Sequence, residues 1–387
     1  MDLDFTPAHD AFRAEARAWL EANVPAQPLA SMDTERGFHE HRAWEATLHA
    51  GRWSAVNWPV EYGGRGVDLV HWLIFEEEYW RAGAPLRVNQ NGIFLLAPTM
   101  LEVGTAEQKA RFLPRMAAGL DVWCQGWSEP NAGSDLAAIS SRARLSDDGA
   151  HWTVTGQKTW CSRAVWADWI FGIFRTDPAS ERHRGLTYIL IPLDTPGVTV
   201  RPIAKLDGET GFAEVFFDDV RVDAANTLGA VGQGWRVAMA TAGFERGVTL
   251  RSPARYVEAA RRLAAMYAAS GVDDGALRDA VAAAWMDAQA YRLHTYHTVS
   301  RVMAGAQIGA EASLNKIFWS EMDVRIQETG LRLLGDRALL LDTAADADPG
   351  RWLHGWMASL AGTIFAGTNE IQRNIVADRV LDLPRGS

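Results

Sequence analysis

The chain has 387 residues, 48% hydrophobic and 22% charged, a globular composition long enough for two or three packed units and unsuited to disorder. Its net charge of −10 excludes a nucleic-acid partner, because phosphate binding needs a basic patch and the short Arg clusters here do not make one. Two cysteines, Cys124 and Cys161, rule out a disulfide framework and fit a reducing compartment. The acidic start, and the lack of any apolar run near the ~18 residues of a membrane span, predict a cytoplasmic protein without a membrane segment.

Thr6 followed by Pro7 predicts an N-cap with proline at the first helical position, and Phe12, Ala16, Trp19 and Leu20 recur at helical spacing. A second helix is expected from Thr34 to Ala50, stopped by Gly51, with a turn-rich loop after it through Pro59 and Gly66. Leu69 to Ala82 and Ile93 to Glu102 read as further helices. Thr105-Ala-Glu-Gln108 is a capping box opening one more, which ends near Gly119. The period then changes. From about Gly126 to Val222, short runs bounded by turns predict strands at Trp152 to Thr155, Trp169 to Phe174, Leu186 to Ile191, Val198 to Val200 and Ala213 to Phe217. Gly229, Gly232 and Gly234 mark the exit. From Trp235 onward Ala-rich helical patterns dominate, interrupted near Ser270 to Gly275 and Ala344 to Gly350. The expected fold class is α+β. A helical domain over 1–122 precedes a small antiparallel β-barrel or sandwich over 123–230, and a helical, four-helix-bundle-like domain over 231–387 follows.

Among sites, no Gly-x-Gly-x-x-Gly follows a strand, no P-loop or Gly-x-Ser-x-Gly elbow is present, and no Cys or His pair has metal-ligand spacing. Two other stretches are organised like a site. Trp123-Cys-Gln-Gly-Trp-Ser-Glu-Pro-Asn-Ala-Gly-Ser-Asp135 turns abruptly from apolar to polar and glycine-bearing, and Gly156-Gln-Lys-Thr-Trp-Cys-Ser162 follows it. Together they offer indole faces, hydroxyls and backbone amides suited to a flat, heteroatom-rich ring. Standing alone, Trp160 also reads as a core strand residue and Ser134 as a turn serine.

Ser128 to Asp135, Gly156 to Ser162 and the C-terminal Phe365-Ala-Gly-Thr-Asn-Glu-Ile-Gln-Arg373, in this order across nearly the whole chain, resemble the acyl-CoA dehydrogenase family. The resemblance implies FAD bound without a Rossmann motif. It implies that Gln125, Trp127 and Ser128 lie along the flavin, that Trp160 packs on its ring with Cys161 beside it, and that Ser162 reaches toward N5. Gly133 and Ser134 would face cofactor and thioester. Thr368 and Glu370 would close over the cofactor, although relatives often carry Gln at the latter position. Many relatives supply the α-proton base just before the C-terminal Gly-Thr, where this chain has Ala366. The isovaleryl and long-chain types supply it from the helix after the β block, and Gly243-Phe-Glu-Arg246 matches them, so the resemblance makes Glu245 the base. Arg246, Ala366 and Gly367 would line the substrate, with the Ala366 N–H as one donor to the thioester oxygen. The implied reaction is α,β-dehydrogenation of an acyl-CoA to a trans-2-enoyl-CoA, with electrons passed to an electron-transfer flavoprotein. A dimer or tetramer of this chain is the implied assembly. An oxidase of the same fold using O₂, and a flavin-poor structural subunit of a heteromer, stay open. The heteromer is suggested by two departures. The Arg-x-x-Phe-Gly element that grips a neighbour's FAD diphosphate is replaced by Ala269-Ser-Gly-Val-Asp-Asp-Gly275, and a later Gln-Gly-Gly element by Arg332-Leu-Leu-Gly-Asp336.

Overall fold

The computed structural model of the chain describes residues 4–246, 249–340 and 347–384, with the side chains of residues 245, 246 and 347–350 outside the description. In order, its helices are α1 (Pro7–Asn23), α2 (Glu35–Ala50), α3 (Leu69–Arg81), α4 (Ala97–Val103), α5 (Ala106–Ala117), α6 (Gly234–Arg246), α7 (Pro253–Ser270), α8 (Gly275–Met303), α9 (Ala312–Leu334), α10 (Ala347–Gly362) and α11 (Asn369–Arg379). The strands are β1 (Trp123–Gly126), β2 (Arg142–Leu145), β3 (His151–Ser162), β4 (Trp169–Arg175), β5 (Leu186–Pro192), β6 (Val198–Ile203) and β7 (Phe212–Asp223). No described helix is long and apolar enough to cross a membrane.

Helix starts follow the local chemistry that the sequence displays. The Thr34 side chain caps α2 by accepting from the Gly37 N–H at 3.2 Å. At α5, Thr105 and Gln108 form the reciprocal capping box. The helix expected from Ile93 instead begins as a π-helical turn over Asn91–Leu96 that runs into α4. Nearly every residue of this turn is buried, so its period is not visible as a polar and an apolar face.

The chain divides into two compact units. The sheet unit comprises Ala18–Trp72 and Ala84–Glu245. Its seven strands form one sheet in the order β1-β4-β2-β3-β7-β6, with β5 also on β4. β1 and β2 meet β4 in parallel while the other pairs are antiparallel. The sheet is thus mixed where runs of alternation suggest antiparallel strands only. Trp152, Val154, Ile170, Phe174, Ile189, Val215 and their neighbours fill its core. Around Trp123, Asn89 links three segments: its side chain donates to the carbonyls of Met116 and Asp121 and accepts from the Trp123 N–H at 3.0 Å.

The helical unit comprises residues 1–17, Leu73–Gly83 and Arg246–Ser387. α9 packs against α7, α8, α10 and α11, around a core that includes Tyr256, Leu263, Tyr291, Trp319, Met322 and Trp352. The expected break near Ser270 to Gly275 lies between α7 and α8. Of the second break, 344–346 lie outside the described residues and 347–350 open α10.

Candidate active site

In the sheet unit, the site grows from two facing pieces of backbone. β1 runs beside β4 with Gln125 opposite Phe171, and Trp123 stacks on Trp169 at 5.1 Å. Gly126 permits this approach, since a Cβ there would lie 2.5 Å from Ile170 Cδ1. The chain then turns polar, and its first acid is buried. Glu129 accepts from the Ser140 N–H and hydroxyl, the Ser141 N–H, and Lys158 Nζ at 2.8 Å. Lys158 is itself fully buried and also donates to the Ile173 carbonyl at 2.8 Å and, longer, to that of Trp127. Burial alone would raise the Glu129 pKa, but Lys158 and the serine donors hold it below the usual carboxylate range. Burial likewise pulls Lys158 down while Glu129 opposes it. The pair clamps the Trp127–Glu129 backbone to β3, and the Thr159 N–H adds a 2.9 Å bond to the Ser128 carbonyl.

β3 then breaks its own register. Lys158 pairs with Val215 and Cys161 with Ala213, leaving an irregularity between them. Within it Trp160 adopts φ 60°, a region sparsely populated by residues other than glycine. A bulge of this kind re-aims a side chain. The Trp160 indole is accordingly 59% exposed, with only its edge on Phe212 at 6.0 Å. The alternative of a core tryptophan does not hold for it. Cys161 and Cys124 point into the sheet core instead. Burial pushes Cys161 to about 12 and raises Cys124 also, so both are protonated thiols at neutral pH.

The polar groups around this shelf are left over. The side chains of Gln125, Ser128, Ser134 and Ser162 have no partner among the described residues, and the buried Trp127 Nε1–H has none either. Gly133 and Ser134 are exposed. An upstanding indole, free hydroxyls and an orphaned buried donor fit a flat ring bearing acceptors, so the residues present suit the isoalloxazine of FAD.

The C-terminal residues of the expected site belong to the helical unit. Ala366 (φ 58°) and Gly367 (φ 81°) form a left-handed turn. Gln372 clamps it by donating to the Ala366 carbonyl at 2.9 Å and the Gly367 carbonyl at 3.3 Å. Thr368 caps α11 through its hydroxyl, which accepts from the Ile371 N–H, and Glu370 is exposed in the first helical turn. Asn369 is buried, accepting from Lys316 and Ser320 and donating to Glu321. Glu245 and Arg246 close α6, and their side chains lie outside the described residues. Sequence reasoning assigned no role to Glu129, Lys158, Asn369 or Gln372. For Lys158 the signal was a lysine within an alternating strand, beside a motif that holds an unassigned acid.

Comparison with known proteins accounts for the whole chain. The N-terminal, middle and C-terminal domain models of acyl-CoA dehydrogenases match residues 6–120, 124–220 and 232–381. The chain is 42% identical over 390 residues to acyl-CoA dehydrogenase IpdE1 of Mycolicibacterium smegmatis, covering 97% of each. It is 32% identical to acyl-CoA dehydrogenase FadE26 of Mycobacterium tuberculosis over 100% of both. Among solved structures it resembles the Tcur3481-Tcur3483 steroid ACAD, with TM-score 0.86, 27% identity and full coverage of both chains. The ChsE4-ChsE5 complex from Mycobacterium tuberculosis gives TM-score 0.85 at 30% identity, also with full coverage. These matches place the chain in the acyl-CoA dehydrogenase family, as a FAD-dependent oxidoreductase acting on acyl-CoA thioesters.

Proposed function

We propose that the chain desaturates a bulky, ring-bearing acyl-CoA between its α and β carbons, with Glu245 as the base. The observation that carries the base assignment is the pair Ala366 and Glu245: a methyl group stands before Gly367-Thr368, and an acid stands at the end of α6. When bound, FAD supplies the hydride acceptor for the β-carbon. The chain's own residues do the rest. Glu245 takes the α-proton, whose bonding pair becomes the new double bond. The strained turn at Ala366 presents a backbone N–H to the thioester oxygen, where negative charge develops as that proton leaves. Trp160 covers the ring, and Ser162 and Ser128 offer hydroxyls to its edge. The ring-bearing substrate class is supported by the likeness to a steroid ACAD. An electron-transfer flavoprotein is the proposed electron acceptor, in a cytoplasmic setting.

We further propose that a second chain type completes the FAD diphosphate site. The α7 to α8 connection carries neither Arg nor Phe where relatives grip that group, and two of the similar structures are named as two-chain assemblies. The test of the activity is anaerobic bleaching of the yellow protein across short, long, branched and ring-bearing acyl-CoAs. Glu245→Gln should bind the ligand yet bleach slower by about 10²–10⁴-fold. Full activity in that variant would sink the base assignment, and peroxide formation without an acceptor protein would favour the oxidase reading.

A further inference from the structure

The Trp160 indole is exposed on a strained backbone, so something outside β3 must hold it. The contacts around it lead to one residue in the loop before α2. Three positions after Trp160, Arg163 also has positive φ, at 54°, and is buried. Its guanidinium donates to Asp33 Oδ1 at 3.2 Å and its backbone N–H donates to the Gly211 carbonyl at 2.8 Å. Gly211 immediately precedes Phe212, the ring against which Trp160 rests. A Cβ on Gly211 would lie 2.2 Å from Asp33 Oδ2, so glycine is what lets this backbone reach the carboxylate. That oxygen accepts from Lys205 at 2.8 Å, and Lys205 also bonds Asp207 at 2.9 Å. Asp33 is fixed in turn: its N–H donates to Ser31 Oγ, Ser31 donates to Glu209 at 2.7 Å, and the next residue, Thr34, caps α2. Burial would raise the Asp33 pKa, yet Arg163 and Lys205 hold it below the usual range.

We infer that Asp33 is a positioning residue for the flavin shelf, acting through Arg163 on one side of Trp160 and through Gly211 and Phe212 on the other. The inference rests on Trp160 being the flavin-covering residue of the proposed function. Asp33 touches none of the motifs by which the sequence announces that site, and it lies 90 or more residues from them along the chain.

The test separates the latch from the shelf. In cofactor-free protein labelled with 5-fluorotryptophan, the ¹⁹F resonance of Trp160, assigned by its loss in Trp160→Phe, should shift or broaden in Asp33→Asn. An unchanged resonance would overturn the latch. FAD titration then reads function: Asp33→Asn should weaken binding by about 10-fold or more, and by less than about twofold in a Trp160→Phe background, because both changes act through one ring. Equal weakening in both backgrounds would show that Asp33 only stabilises the unit, and would also overturn the proposal. If instead the resonance moves while Trp160→Phe leaves FAD affinity intact, the latch stands and the role of Trp160 as flavin cover fails. Should Asp33→Asn not fold, Arg163→Gln enters the same cycle with the same expectations.

Discussion

Glu129 and Lys158 form the most consequential pair of single residues in the sheet unit, because each is buried and each depends on the other. Lys158→Met would leave a buried carboxylate with its serine donors and no cation. It should therefore cost about 3–5 kcal/mol, read from the urea midpoint at constant m-value. In the helical unit, Glu78 receives Arg13, Arg17 and Arg81 together. Burial opposes its ionisation, yet the three guanidinium groups, Arg17 first, bring its pKa down to about 2. A depressed carboxyl stabilises the fold above its unfolded value of about 4.3 and loses that contribution as pH falls toward the folded value. Glu78→Gln should accordingly flatten the loss of stability between roughly pH 4.3 and 2, measured by acid titration of the circular dichroism signal. Neither the pair nor the cluster was legible in sequence. Glu129 and Lys158 become partners only once β3 is laid beside the loop after β1, and Glu78 meets Arg13 and Arg17 only once α1 is brought to α3.

Among elements, β3 does two jobs: its first half builds the sheet core and its last turns outward to make the shelf. The apolar runs that predict β3, β4, β5, β6 and β7 survive in the structure, with β3 and β7 extending well beyond them. β1 and β2 went unread because four residues are too few for a period to show. The exit from the sheet was better marked. Gly234 opens α6 against β5, where a Cβ would come within 2.6 Å of the Thr187 backbone. Gly234→Ala should overpack that junction and cost about 1–3 kcal/mol, seen as a lower melting temperature. At α11, Gln372→Met keeps the volume but removes both donors to the Ala366 and Gly367 carbonyls. Stability should fall by about 1–3 kcal/mol, and turnover should drop if the turn presents the thioester donor. An unchanged melt and unchanged turnover would mean that other contacts hold the turn.

For the whole molecule, chain order and compactness part company. The helical unit gathers residues 1–17 and Leu73–Gly83 with the C-terminal segment that begins at Arg246. Arg13 and Arg292 both bond Glu77, and the Tyr296 hydroxyl donates to the same carboxylate at 2.8 Å. Deleting residues 1–17 should therefore raise amide hydrogen exchange in α8, far away in sequence, through loss of the Arg13 partner. The alternation of helical, β and helical blocks was legible because it needs only local periods. The composition of the compact units was not, since that depends on which distant segments pack together. Seventeen tryptophans give the chain an optical consequence. Among the described residues Trp160, in the sheet unit, and Trp285, on α8, are the two most exposed tryptophans, at 59% and 40%, while Trp19, Trp80, Trp166, Trp169, Trp235 and Trp356 are only partly exposed. Iodide should quench these two most strongly and the nine buried tryptophans least. The isolated chain thus carries one built-in lamp per unit, and bound FAD should shade the first while the second stays lit.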